Sequence, residues 1–166
     1  MPYKSIKKEL VSLCTGEIVA SITFIIALIS VKSNLGVSVD AIILYPFSIL
    51  VFILSQGSYY WFYRLRNINR KRVKQYRFRF AYRVLKKTDL ILIILYPVII
   101  LYELLLGNLV LVSGKTLVSF FIYIFSIIEY INYFYIRLSY GKLNDIVMLL
   151  KLKNLKKSSL NKELRK

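Results

Sequence analysis

Glu129 is the ionisable side chain set deepest in an apolar stretch of this chain, twelve residues in from Leu117; Gln56 lies fifteen residues in from Ala41. On a helix these offsets are depths of about 18 and 22 Å at ~1.5 Å per residue. Asn132 follows Glu129 by one helical turn, and Glu17 opens the first apolar stretch. Carboxyls in such surroundings face protein or a water-filled cavity and mark proton and ion sites, so Glu17, Gln56, Glu129 and Asn132 form the candidate intramembrane polar site. The mechanical alternative is a neutral Glu129, hydrogen-bonded to Gln56 or to a backbone carbonyl, that clamps helices together. Glu103 is a weaker candidate, near the water-accessible end of its stretch.

Other chemistry finds few residues to use. Histidine is absent and Cys14 is the single cysteine, which argues against zinc, redox chemistry and an intramolecular disulfide. No metal or cofactor is expected. Ser113-Gly114-Lys115-Thr116 resembles the end of a phosphate-binding loop, but Leu109 stands where the earlier glycine is required. With no nucleophile, base and orienting group at usable spacing, the chain reads as a non-enzyme.

The elements that must position the polar residues are four apolar stretches, about 14–33, 41–62, 90–106 and 117–136, each near the ~20 residues that cross a bilayer. The first has the shortest apolar core, Ile18 to Val31, and its basic start carries Glu9 and Glu17, so it reads as an uncleaved helix rather than a signal peptide. Of the 25 Lys and Arg residues, three precede the first stretch, one (Lys32) follows its apolar core, eleven lie in the second gap, one in the third and nine after the fourth. The positive-inside rule then puts both termini and the 64–89 loop in the cytoplasm. The expected fold is all-α, a four-helix transmembrane bundle with a basic cytoplasmic loop, a cytoplasmic tail over 137–166 and a C-terminal amphipathic helix. With 166 residues and four spans, the chain has room for one membrane domain.

In the loop, Arg64, Arg66, Arg70, Lys71, Arg72, Lys74, Arg77 and Arg79 lead a basic run that continues through Lys87, interleaved with Tyr76, Phe78, Phe80 and Tyr82. In a soluble protein this pattern would suggest nucleic acid. Beside two spans it fixes topology and attracts anionic lipid, at roughly 1 kcal/mol per cation. Alternation from Tyr76 to Val84 fits a strand, but a lone strand has no sheet to join, so helical extension of the flanking spans is favoured. In the tail, Leu143, Ile146, Val147 and Leu150 recur at helical spacing among lysines, a basic amphipathic helix; the polar end, Ser158 to Lys166, reads as mobile.

Pro46 and Pro97 interrupt the second and third stretches, each closing the pentapeptide Ile-Ile-Leu-Tyr-Pro. The flanks diverge and the spans run in opposite directions, so the match is read as composition rather than an internal repeat. Each proline frees a carbonyl that a neighbour must satisfy.

Gly16-Glu17-Ile18, Gln56-Gly57-Ser58-Tyr59-Tyr60-Trp61, Glu129-Tyr130-Ile131-Asn132-Tyr133-Phe134 and Leu155-Lys156-Lys157-Ser158-Ser159-Leu160 together resemble a group of uncharacterised four-span membrane proteins of Gram-positive bacteria, sometimes labelled general stress proteins. The resemblance implies a bacterial plasma membrane and no particular mechanism. The expected function is that of a small accessory or stress-related factor acting through anionic lipids, a membrane-protein partner or a second copy of itself. The alternative is an oligomeric transporter or channel that moves an ion, proton or small solute past Glu129.

Overall fold

The computed structural model describes residues 3–34, 41–67, 75–107, 113–136 and 157–164. Among them the chain is helical: α1 (Tyr3–Asn34), α2 (Ala41–Arg66), α3 (Gln75–Leu105), α4 (Gly114–Phe134) and the short α5 (Ser159–Leu164). Four of these are long and apolar enough to cross a membrane, over Lys7–Ser30, Ala41–Arg66, Tyr76–Leu105 and Gly114–Phe134. The chain is a multi-pass membrane protein.

The helix ends follow local chemistry. Ser113 caps α4, its Oγ accepting from the Thr116 amide at 3.2 Å, so the segment that imitates a phosphate-binding loop is a helix start. Past the end of α3, Gly107 takes φ 72°, which glycine adopts without steric penalty, and its amide returns to the Leu104 carbonyl at 3.1 Å. Asn67 closes α2 twice, its amide and its Nδ2 both donating to the Tyr63 carbonyl.

In the 64–89 segment the flanking spans extend as helices, as expected: α2 runs through Arg66 and α3 starts at Gln75, because helices keep their backbone bonds internal where a lone strand could not. The fourth span stops at Phe134, and Ile136 instead pairs with Lys157 in an isolated antiparallel bridge. The end of the tail, read as mobile, is docked: Ser158, Leu160 and Asn161 are buried against the bundle. The amphipathic segment around 143–150 lies outside the described residues.

α2 is the axis of the bundle. Its Ile43, Phe47, Leu50 and Leu54 pack with Ile122 of α4 and with Ala20, Phe24 and Leu28 of α1. Ile49, Ile53 and Tyr60 pack with Tyr82 and Ile93 of α3 and with Tyr130, Tyr133 and Phe134 of α4. Lipid tails are as apolar as leucine, so these contacts act through close fit rather than escape from water. Small residues provide that fit: Ser119 and Ser126 of α4 are fully buried against α2.

Candidate functional site

Polar groups within the spans fall into two layers. In the layer away from the basic end, the two prolines organise everything. Pro46 has no amide hydrogen, which frees the Ile42 carbonyl four residues before it. That carbonyl accepts from Ser119 Oγ at 2.5 Å and from the Tyr96 hydroxyl at 3.5 Å, and the two donors also bond each other. Pro97 frees Ile93, whose carbonyl accepts from the Tyr123 hydroxyl at 3.1 Å. Tyr45 donates to the Leu92 carbonyl at 3.0 Å, and the Tyr45 and Tyr96 rings stack with centroids 6.0 Å apart. The two identical pentapeptides therefore face each other and exchange hydroxyls across antiparallel helices.

The layer nearer the basic end holds the acidic groups. Gln56 Nε2 donates to Asp89 Oδ1 at 2.8 Å, and Tyr82 donates to the Gln56 carbonyl at 2.7 Å. Asp89 is 0 % exposed, yet its Oδ2 and Gln56 Oε1 have no hydrogen-bond partner. Both are acceptors when Asp89 is charged; one proton on the carboxyl would supply the donor the pair lacks and leave it neutral.

On the other side of α2, Glu129 Oε2 accepts from Asn132 Nδ2 at 3.2 Å. Glu17 of α1 comes under the influence of the Tyr133 hydroxyl and the Glu129 carboxyl. A cavity of about 60 Å³ opens here, lined by Leu13, Glu17, Tyr60, Trp61, Asn132 and Tyr133 and covered by Ser158–Leu160. Its volume exceeds the ~10–15 Å³ that one water requires. The Tyr60 and Tyr133 hydroxyls and Trp61 Nε1 are buried without a closed hydrogen bond. The Arg64 guanidinium stands 5.8 Å from both the Tyr60 and Trp61 rings. Gly57 is required beside them, because a Cβ there would overlap the Tyr133 ring.

The tail covers this cavity through specific bonds. Ser158 Oγ donates to the Tyr133 carbonyl at 2.5 Å, Asn161 Nδ2 to the Tyr135 carbonyl at 3.0 Å, and Arg83 reaches the Leu164 carbonyl at 3.0 Å. Parts of all four segments that carry the sequence resemblance meet around one space.

Of the four predicted site residues, Glu17 and Asn132 line the cavity and Glu129 joins them through its bond to Asn132, whereas Gln56 points to Asp89 on the far side of α2. Of the predicted lipid contacts, Arg64 and Arg66 end α2 and Arg77 and Arg79 begin α3; Arg70, Lys71, Arg72 and Lys74 lie outside the described residues. Asp89, Tyr60, Trp61, Tyr133 and Ser158 were not predicted. Tyr133 was within reach, one turn from Glu129 on the same helical face. No protein-family model, curated protein or solved structure matches the chain.

Proposed function

We propose that this chain is a small non-enzymatic accessory protein of a bacterial plasma membrane, with both termini cytoplasmic, working through anionic-lipid and protein contacts at its basic end. One observation carries the reading. Arg64, Arg66, Arg77, Arg79, Arg83, Lys86 and Lys87 lie at the end of α2 and the start of α3, one end of the bundle, while the other end receives Lys32 from α1 and Lys115 from α4 among the described helices. Seven cations at a membrane surface attract anionic lipid at roughly 1 kcal/mol each, an attraction that salt weakens. The resemblance to the Gram-positive group supports the membrane assignment and a stress-related role.

The test is the anionic lipid retained per protein after reconstitution, for wild type and for Arg64→Gln/Arg66→Gln/Arg77→Gln, across a salt series. Enrichment that falls with salt and with each neutralised residue supports the proposal; equal retention of anionic and zwitterionic lipid removes it. The cavity favours a second reading, a proton or cation held between Glu17 and Glu129, which becomes transport only if protomers associate to complete a path. Against a path through one protomer stands the opposite layer, where the tyrosine hydroxyls are all spent on backbone carbonyls.

A further inference from the structure

Arg83, Lys86 and Lys87 are the last cations of α3 before the uninterrupted apolar run that begins at Leu90. They line an outward groove of about 440 Å³ together with Phe80, Val84 and Leu90. That volume lies within the ~300–1,000 Å³ typical of small-molecule sites. Among the described residues that line the groove, none is acidic and three are cationic.

The cations are held in place. Lys86 Nζ sits 3.9 Å above the centre of the Tyr135 ring, and its backbone carbonyl accepts from the Tyr130 hydroxyl at 3.2 Å. Arg83 spends one Nη on the Leu164 carbonyl of the docked tail, which orients the guanidinium and leaves its other N–H groups for a ligand. Below them the surface turns apolar in a directed way. Phe80, Val84, Ile91, Ile94, Val98 and Leu101 recur at alternating three- and four-residue spacing on α3, apart from one step occupied by Lys87, and all six are exposed. A cationic mouth above a continuous apolar stripe matches one amphiphile in charge and shape.

We infer that this groove is a discrete site for one anionic phospholipid, its phosphate held by Arg83, Lys86 and Lys87 and an acyl chain lying along the exposed stripe of α3. The inference rests on the anionic-lipid reading above and narrows it from a diffuse charged surface to one stoichiometric place. The docked tail takes part through Leu164, so occupancy of the groove and seating of α5 over the polar cavity are coupled through the Arg83 side chain.

Native mass spectrometry of the full chain with added phosphatidylglycerol or phosphatidylcholine tests this. Lys86→Gln/Lys87→Gln removes two charges from the groove, and Lys7→Gln/Lys8→Gln removes two exposed charges from α1. Val84→Trp fills the groove without changing charge. The expected result is a one-to-one phosphatidylglycerol adduct in wild type and in the α1 variant, weakened about thirtyfold in the Lys86→Gln/Lys87→Gln variant and lost or weakened in Val84→Trp. Excess glycerol 1-phosphate should not displace it, since the chain contributes to binding.

Equal loss in the two double variants with no effect of Val84→Trp would overturn the groove while leaving a diffuse attraction to anionic lipid. Displacement by glycerol 1-phosphate would make it a site for free phosphate esters and overturn the lipid. No preference for phosphatidylglycerol in any protein would overturn both this inference and the function on which it rests. A thermal melt of each variant, unchanged from wild type, excludes unfolding as the cause of a lost adduct.

Discussion

The two layers of the bundle use polar groups in opposite ways. In the proline layer Tyr45, Tyr96, Tyr123 and Ser119 each end on a main-chain carbonyl, including the two that Pro46 and Pro97 release. Each of these hydroxyls has its proton placed inside the protein. In the layer nearer the basic end, Gln56 Oε1 and Asp89 Oδ2 are buried without a hydrogen-bond partner among the described residues, and the Tyr133 hydroxyl lies beside the Glu17 carboxyl rather than on a main-chain carbonyl. Satisfied groups fasten helices, whereas unsatisfied ones retain capacity for a proton, water or ligand. One layer fastens helices; the other holds buried acceptors that a proton or water could satisfy.

The largest expected effect strikes the acidic layer. Asp89→Leu leaves the Gln56 amide buried without its acceptor and should destabilise the protein by about 3 kcal/mol. Asp89→Asn keeps an acceptor for Gln56 Nε2 and adds a donor for Oε1, so its change should stay below about 1 kcal/mol. Reversible unfolding in mixed micelles measures both. Equal destabilisation by Leu and Asn would mean that the charge of Asp89, not its hydrogen bond, is what the helices require.

Gly57→Ala comes next, at about 2 kcal/mol, since the new methyl group overlaps the Tyr133 ring and α2 must shift from α4. Combined with Tyr133→Leu the penalty should shrink, giving a coupling energy in a double-mutant cycle. Strict additivity would show that the ring already moves freely and that the cavity wall is soft.

The proline layer should give the smallest change. Tyr96→Phe removes one donor from the Ile42 carbonyl, and an interhelical hydrogen bond of this kind is worth about 0.6 kcal/mol. In a Pro46→Ala background the restored amide serves that carbonyl, and the effect of Tyr96→Phe should fall further. A larger loss in the alanine background would contradict the role assigned to the hydroxyl.

Much of the fold was legible because it depends on one-dimensional quantities. Apolar length and the alternation of Lys and Arg give four spans and group the basic segments without any knowledge of which faces meet. Pairing is three-dimensional. Glu129 and Gln56 share a depth, but α2 presents Gln56 to α3 and Gly57 to α4, so the glutamine finds Asp89 instead. Asp89 itself was hidden by its neighbours: it follows Lys86 and Lys87 and reads as the last residue of a charged loop until α3 is extended back to Gln75. The two Ile-Ile-Leu-Tyr-Pro segments show the converse. Their identity looked like composition, yet antiparallel helices bring them face to face, where the same residues serve each other. The docked end of the tail was illegible because Ser158 and Asn161 are polar, and the Tyr133 and Tyr135 carbonyls they donate to are known only once the chain is folded.

Ion and proton flux across liposomes reconstituted with wild type and with Glu129→Gln, followed over a pH range, decides between an accessory protein and a transporter. An accessory role predicts no flux above empty liposomes in either protein, with both equally folded. Flux in the wild type that titrates with pH and disappears in Glu129→Gln would contradict that role and make Glu129 and the neighbouring Glu17 cavity part of a conducting path.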